Sequence, residues 1–66
     1  MNINKLKGKI VENGMSKKQF AVAIGIDPAT LYRKLKKPEA ITVADAAKMK
    51  VALNLNNDEA SEIFLA

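Results

Sequence analysis

Apolar residues recur at helical spacing along the whole chain, and this pattern constrains the fold more than any other feature of the sequence. No segment alternates apolar and polar residues over the length of a strand, and no repeat or linker divides the chain. The 66 residues include no cysteine, so disulfides and zinc–thiolate sites are excluded. We therefore predict an all-α fold, in which residues 1–66 form one compact bundle of five short helices around a single small core.

The first predicted helix runs from about Asn2 to Asn13 and stops at Gly14, which suits a left-handed helix terminus. Steps of three and four residues predict one buried stripe in this helix, made of Ile3, Leu6 and Ile10 with Val11 beside them. The lysines of the helix fall elsewhere on its surface.

The second predicted helix begins at Ser16, because Gln19 three residues later completes a capping box. It ends at Gly25, which has no side chain to hinder a sharp reversal of the chain. The residues of this helix that we expect in the core are Phe20, Ala21 and Ile24.

A tight turn of Gly25, Ile26 and Asp27 leads into the third predicted helix. Asp27 is a favourable N-cap, and proline is the preferred residue at the position that follows. The helix runs from Pro28 to about Lys36, with Leu31 and Leu35 facing the core. Pro38 ends it.

Two further helices are predicted in the second half of the chain. Thr42 caps the fourth helix, with Asp45 as its capping-box partner, and Asn54 ends it. The apolar stripe of the fourth helix is Ala46, Met49 and Leu53. Either Asn56 or Asn57 caps the fifth helix. We attribute the acidic residues of that helix to the helix dipole and to solubility, not to a metal site: Asp58, Glu59 and Glu62.

Positive charge is concentrated in the first part of the chain. Residues 1–37 carry nine basic and two acidic side chains, a net charge of +7, whereas residues 38–66 carry two basic and five acidic ones, a net charge of −3. Such a polarised distribution suits a polyanionic partner on one side of the molecule. A basic face that only contacts solvent is the alternative interpretation.

Catalysis is disfavoured by composition. The chain contains no histidine, the usual general base at neutral pH and the commonest metal ligand. The only conceivable nucleophile and base are Ser16 and Lys17, which are adjacent in a helix and therefore do not face each other. We predict that the protein is not an enzyme and that it needs neither a metal nor another cofactor.

The N-terminus has no signal-peptide core, and no apolar run is long enough to span a membrane. A complete small soluble protein of the cytoplasm is the corresponding expectation.

The stretch from Ser16 to Leu35 resembles the helix-turn-helix of the phage repressor and Cro family. It has a polar cap followed by glutamine, a hydrophobic–alanine pair at Phe20-Ala21, and a hydrophobic–glycine–hydrophobic run at Ile24-Gly25-Ile26. The tail, with Ala52-Leu53-Asn54-Leu55 and Ile63-Phe64, is also similar to the last two helices of that family. The resemblance implies a lambda-repressor-like DNA-binding domain whose helix-turn-helix occupies about residues 16–37.

The resemblance also implies roles for individual residues, with the third helix in the major groove of DNA. The residues expected to contact bases are Pro28, Ala29, Thr30 and Arg33. The residues expected to contact the DNA backbone are Lys17, Lys18, Gln19, Tyr32, Lys34, Lys36 and Lys37. Local alternatives are a phosphate contact or solvation for Arg33, packing at the rim of the core for Tyr32, and a hydrogen bond to Asp27 for Thr30.

The partner implied by the resemblance is double-stranded DNA with two inverted half-sites, bound by a weak homodimer that DNA reinforces. Helices four and five or the loops would form the dimer contact, with Phe64 and Leu65 as candidates. The function that the resemblance implies is that of a Cro-type transcriptional repressor, associated with the nucleoid of a bacterial or phage-infected cell. The alternative is an antirepressor or interaction module that uses the same surface to bind another regulator.

Overall fold

The structure, a computed structural model, describes residues 1–65. Within that range the chain forms five α-helices, one 3-10 turn and no strand. The elements are α1 (Ile3–Glu12), α2 (Lys17–Ile24), α3 (Pro28–Lys36), the 3-10 turn (Pro38–Ala40), α4 (Val43–Ala52) and α5 (Asn57–Phe64). The Cα radius of gyration is 10.5 Å, close to the value of about 11 Å expected for a compact chain of this length. The prediction of a compact all-α fold is confirmed.

Side-chain caps begin all five helices. Asn2 and Asp27 accept backbone N–H groups at the starts of α1 and α3. Both predicted capping boxes are present, and α5 has a third one in which Asn56, not Asn57, is the cap. Each cap satisfies N–H groups that the helix itself leaves without an acceptor.

Left-handed residues end several helices. Gly14 follows α1 with φ of +71°, Gly25 follows α2 with φ of +74°, and Asn54 follows α4 with φ of +51°. The sequence predicted a helix end at each of these three positions. The 3-10 turn after α3 was not predicted; Pro38 was expected only to stop the helix.

The core draws side chains from every α-helix, and α2 lies at its centre, packed against both α3 and α4. Its buried residues are Leu6, Ile10, Phe20, Ala21, Ile24, Leu31, Leu35, Met49, Leu53, Leu55 and Ile63. One predicted member of the α1 stripe was wrong, since Val11 is 74% exposed. Its direction differs by about 100° from that of Ile10, which turns it away from the core.

Ion pairs link the helices across the surface. Lys5 pairs with Glu62, and Lys9 pairs with Glu59 at 2.7 Å, so that α1 is tied to α5. The pKa of Glu59 lies below its ordinary value because the backbone N–H of Asn56 and the Lys9 ammonium donate to it. Two of the three acidic residues of α5 therefore serve helix packing. Among residues 1–65, no group of three or more acidic side chains is arranged to hold a metal ion.

None of the helices within residues 1–65 combines the length and the apolar character that crossing a bilayer requires.

Candidate nucleic-acid interface

Three residues join α2 to α3, and hydrogen bonds hold this connection in place. The N–H of Gly25 donates to Val22 O at 3.1 Å, and the N–H of Ile26 donates to Ala21 O at 3.0 Å. Ile26 is half-buried against the core. Asp27 then accepts the N–H of Ala29 at 2.9 Å, so that α3 begins directly after the reversal.

One face of α3 is buried and the other is open to solvent. Leu31 and Leu35 are 1% and 5% exposed. Tyr32 and Arg33, one and two places after Leu31, point outward because the helical period turns them away from this pair. The exposed residues of α3 are Pro28, Ala29, Tyr32, Arg33 and Lys36, while Thr30 is half-buried at the edge.

Arg33 lies on this exposed face beside Thr30. Its Nη2 atom donates to Thr30 Oγ1 at 3.2 Å. Thr30 therefore accepts from Arg33, and the predicted local alternative, a bond to Asp27, is absent from the hydrogen bonds of residues 1–65. No Asp or Glu of those residues pairs with Arg33. A guanidinium has five N–H donors, so most of its hydrogen-bonding capacity faces solvent.

Tyr32 is influenced by the charges of lysines from three helices. The side chain is 51% exposed, and Lys36 Nζ lies 4.6 Å from the centre of its ring. The pKa of Tyr32 is lower than its ordinary value, first because of the hydrogen bond and charge of Lys36 and then because of the charges of Lys17 and Lys7. The electrostatic potential at this phenol is therefore positive.

Lys7 is a member of this group that the sequence did not single out. It lies on α1, far in the chain from the predicted binding segment. The three nearby lysines of α1 share one helix, yet Lys5 and Lys9 pair with acidic residues of α5, whereas Lys7 pairs with none among residues 1–65. No signal in the sequence distinguishes Lys7 from Lys5 and Lys9, because the difference depends on how α1 packs against α5.

The first turn of α2 presents three of the predicted backbone-contact residues, and all three are exposed: Lys17, Lys18 and Gln19. The Gln19 side-chain oxygen accepts the N–H of Ser16 at 2.8 Å, and the N–H of Gln19 donates to Ser16 Oγ at 3.1 Å. Gln19 is thus held in its capping role. The positive end of the helix dipole adds to the charge of the two lysines.

Lys34 differs from the other predicted contacts because its ammonium is bonded within the protein. Its Nζ donates to Asp45 Oδ2 at 2.5 Å and to Ala40 O at 3.2 Å, and its side chain is only 18% exposed. This ion pair, together with the N–H of Thr42, lowers the pKa of Asp45. Lys34 therefore connects α3 to the capping box of α4.

Six cations of α1, α2, α3 and the C-cap of α3 have no ion-pair partner among the Asp and Glu residues of the described chain. They are Lys7, Lys17, Lys18, Arg33, Lys36 and Lys37. All six are exposed. We refer to these residues as the basic set.

The fold and this site define an all-helical protein with an uncompensated basic set, part of which flanks the exposed face of α3. Comparisons with protein-family models, with curated proteins and with solved structures find no match to the chain.

Proposed function

We propose that the protein is a sequence-specific double-stranded DNA-binding transcriptional regulator of the Cro type, in which α2 and α3 act as a helix-turn-helix. The proposal depends on one observation above all: the solvent-facing side of α3 carries Arg33 without an acidic partner among residues 1–65, next to Thr30 and flanked by further cations. An α-helix with its side chains is about 10–12 Å in diameter. It therefore fits the major groove, which is about 12 Å wide.

Base readout is assigned to the exposed residues of α3. Arg33 can donate two parallel hydrogen bonds to O6 and N7 of guanine. Ala29 and the methyl group of Thr30 suit contact with the methyl group of thymine. Pro28 lies exposed at the start of the helix and offers shape without an N–H donor.

Phosphate contacts are assigned to the cations and polar groups around this face. Lys17, Lys18 and Gln19 would approach one strand from the first turn of α2, where backbone N–H groups also favour an anion. Tyr32, Lys36 and Lys37 would serve the same half-site, and Lys7 joins them because its charge reaches Tyr32. Lys34 is instead given a positioning role, since its ammonium is bonded to Asp45.

The mechanism that we propose is occupancy. A dimer on two inverted half-sites would place its α3 helices about 34 Å apart, one turn of DNA. Bound protein would then block polymerase or a competing regulator. The unpaired charge around α3 favours a polyanion over a protein partner for this face. Binding to another protein that does not depend on salt, together with no binding to DNA, would instead favour the antirepressor function.

Random-site selection with the purified protein, followed by binding to single half-site duplexes at two salt concentrations, tests this function. Arg33→Ala should relax the selected sequence and cost about 1–3 kcal/mol of discrimination at one base pair. Lys18→Ala should weaken binding to every duplex and reduce the salt slope by about one. Lys48→Ala is the control, because Lys48 is an exposed cation outside the basic set. No binding to any duplex at low salt, or binding unaffected by Arg33→Ala, contradicts the proposal.

A further inference from the structure

The basic residues in the first part of the chain divide into two groups according to their partners. Residues 1–37 contain nine basic side chains, and six of them form the basic set. The other three each form an ion pair with an acidic residue of α4 or α5: Lys5, Lys9 and Lys34. Every cation of residues 1–37 outside the basic set is therefore neutralised by the acidic second part of the chain.

Two of these ion pairs lie between α1 and α5. Lys5 pairs with Glu62, and Lys9 pairs with Glu59 at 2.7 Å. Lys5 and Lys9 are four residues apart and share one face of α1. Lys7 is turned about 200° from each of them and lies on the opposite face. The two pairs thus neutralise the side of α1 that points away from Lys7.

The other side of α1 belongs to the candidate interface. Lys7 is exposed, and its charge reaches Tyr32 on α3. Without the α5 carboxylates, positive charge would continue from this interface around α1 to the side that now packs beside α5. Positive charge alone holds a duplex without regard to its sequence. Such a band of cations would offer DNA a second mode of contact in which Arg33 takes no part.

We infer that two carboxylates of α5 determine specificity for DNA without contacting it. Glu59 and Glu62 neutralise their lysine partners on α1 and thereby deny the duplex a second face. The duplex is confined to the side of the molecule that carries Arg33. This role rests on the proposed function and deepens it, since it names residues that limit non-specific binding.

Glu62 is the more informative of the two residues to replace. The Lys5–Glu62 pair is open to solvent, with side chains 36% and 57% exposed, so removal of the carboxylate makes Lys5 available to a phosphate. Lys9 is only 19% exposed, and Glu12 at 3.6 Å would continue to neutralise part of its charge. Glu62→Gln should therefore have a larger effect than Glu59→Gln, in which glutamine can keep the capping box of α5.

Fluorescence anisotropy with one duplex of the selected sequence and one of unrelated sequence, over a salt series, tests this role. Glu62→Gln should add about one to the salt slope for the unrelated duplex, which is about a threefold larger gain in affinity as salt falls from about 200 to 50 mM. Its preference for the selected sequence should decrease, because the unrelated duplex gains more. Asp58→Asn is the matched control, since Asp58 is an exposed carboxylate of α5 with no Lys or Arg partner among residues 1–65.

Lys5→Met separates the ion pair from other effects of the Glu62 carboxylate. Alone, it should leave binding to both duplexes close to that of the wild type, because the charge that it removes is already neutralised. Combined with Glu62→Gln, it should restore the wild-type salt slope. Circular dichroism melts check that the variants fold, and Glu59→Gln repeats the test if Glu62→Gln does not. Loss of an exposed ion pair costs little stability.

Equal effects of Glu62→Gln and Asp58→Asn would overturn this role, because net charge alone would then account for the gain. So would a wild-type salt slope in Glu62→Gln, or a gain that persists after Lys5→Met is added. These outcomes leave the sequence preference of the wild type, and with it the proposed function, intact. A wild-type protein that binds no duplex, or binds both duplexes equally, would overturn the proposed function and this role together.

Discussion

The Lys34 ammonium donates to Asp45 Oδ2 at 2.5 Å, and this contact joins α3 to the N-terminus of α4. The same Asp45 oxygen accepts the N–H of Thr42 at 3.0 Å, while Thr42 Oγ1 accepts the N–H of Asp45. Asp45 is only 8% exposed, the sole buried polar or charged residue of residues 1–65. This ion pair therefore links the capping box of α4 to the last turn of α3.

Replacing Lys34 by methionine should lower the free energy of unfolding by about 1–3 kcal/mol, because Asp45 loses the charged donor that compensates its burial. Urea denaturation measures the change, with Lys48→Met as the control for a solvent-facing lysine. The salt dependence of DNA binding should stay close to that of the wild type. An unchanged midpoint together with a reduced salt slope would instead assign Lys34 to a phosphate.

Acid should destabilise the protein partly through Asp45. The hydrogen bond from Lys34 and the N–H of Thr42 hold the pKa of Asp45 below its usual value of 3.8. The folded protein thus binds this proton less readily than the unfolded chain does. The stabilisation is present above pH 3.8 and is lost as the pH falls through the lower pKa of the folded state.

The variant Asp45→Asn tests this assignment, since it retains a capping side chain that cannot titrate. Its free energy of unfolding should be lower than that of the wild type at neutral pH and should fall less steeply below pH 4. Asp58→Asn, at an exposed carboxylate of α5, is the control. Parallel acid limbs for Asp45→Asn and the wild type would refute the role of this carboxylate.

Tyr32 offers a direct measurement of the charge around α3. It is the only tyrosine in a chain without tryptophan, so its ionisation can be followed by ultraviolet absorbance without interference. Its pKa should lie below the ordinary value of 10.0, chiefly because of Lys36. Lys36→Met should raise the pKa most, Lys17→Met and Lys7→Met should raise it less, and Lys48→Met should not change it. A wild-type pKa at or above 10.0 would mean that the lysines lie farther away.

Replacement by alanine should destabilise the protein at Gly25 and stabilise it at Gly8. Gly25 has φ of +74°, where a Cβ atom costs about 1–2 kcal/mol. Gly8 lies inside α1, where a Cβ atom would meet no heavy atom within 4 Å apart from the adjoining backbone of its own helix, so Gly8→Ala should stabilise the protein by about 0.5–1 kcal/mol. Thermal melts compare the two, and destabilisation by Gly8→Ala would show that the surface of α1 is not free at that point.

Most of the fold was predictable because its signals are local. The capping boxes at Ser16 and Thr42 and the left-handed Gly14 and Gly25 depend on residues within four positions of one another. The 3-10 turn was missed, since Pro38 signals the end of one helix and says little about the conformation that follows.

The site was predictable only where its geometry follows from one helix. The outward direction of Arg33 follows from the buried Leu31 and Leu35 through the helical period. The role of Lys34 and the membership of Lys7 depend instead on how α3 meets α4 and how α1 meets α5. Those packing relationships are not encoded in the spacing of any single segment.

Because Thr30 accepts a hydrogen bond from Arg33, we predict that this neutral residue influences base readout. Thr30→Val removes the Oγ1 acceptor while keeping the shape of the side chain, so the guanidinium loses the contact that orients it. The Thr30→Val protein should lose less of its preference for the selected site over a single-base variant than the Arg33→Ala protein does. The salt slope of DNA binding should not change, because no phosphate contact is lost. Thr30→Ser retains the hydroxyl and should retain the preference at the base pair that Arg33 contacts, although it loses the methyl group proposed to contact thymine. Competition binding with the two duplexes measures this ratio; a loss in the serine variant with none in the valine variant would assign the effect to the Thr30 methyl group instead.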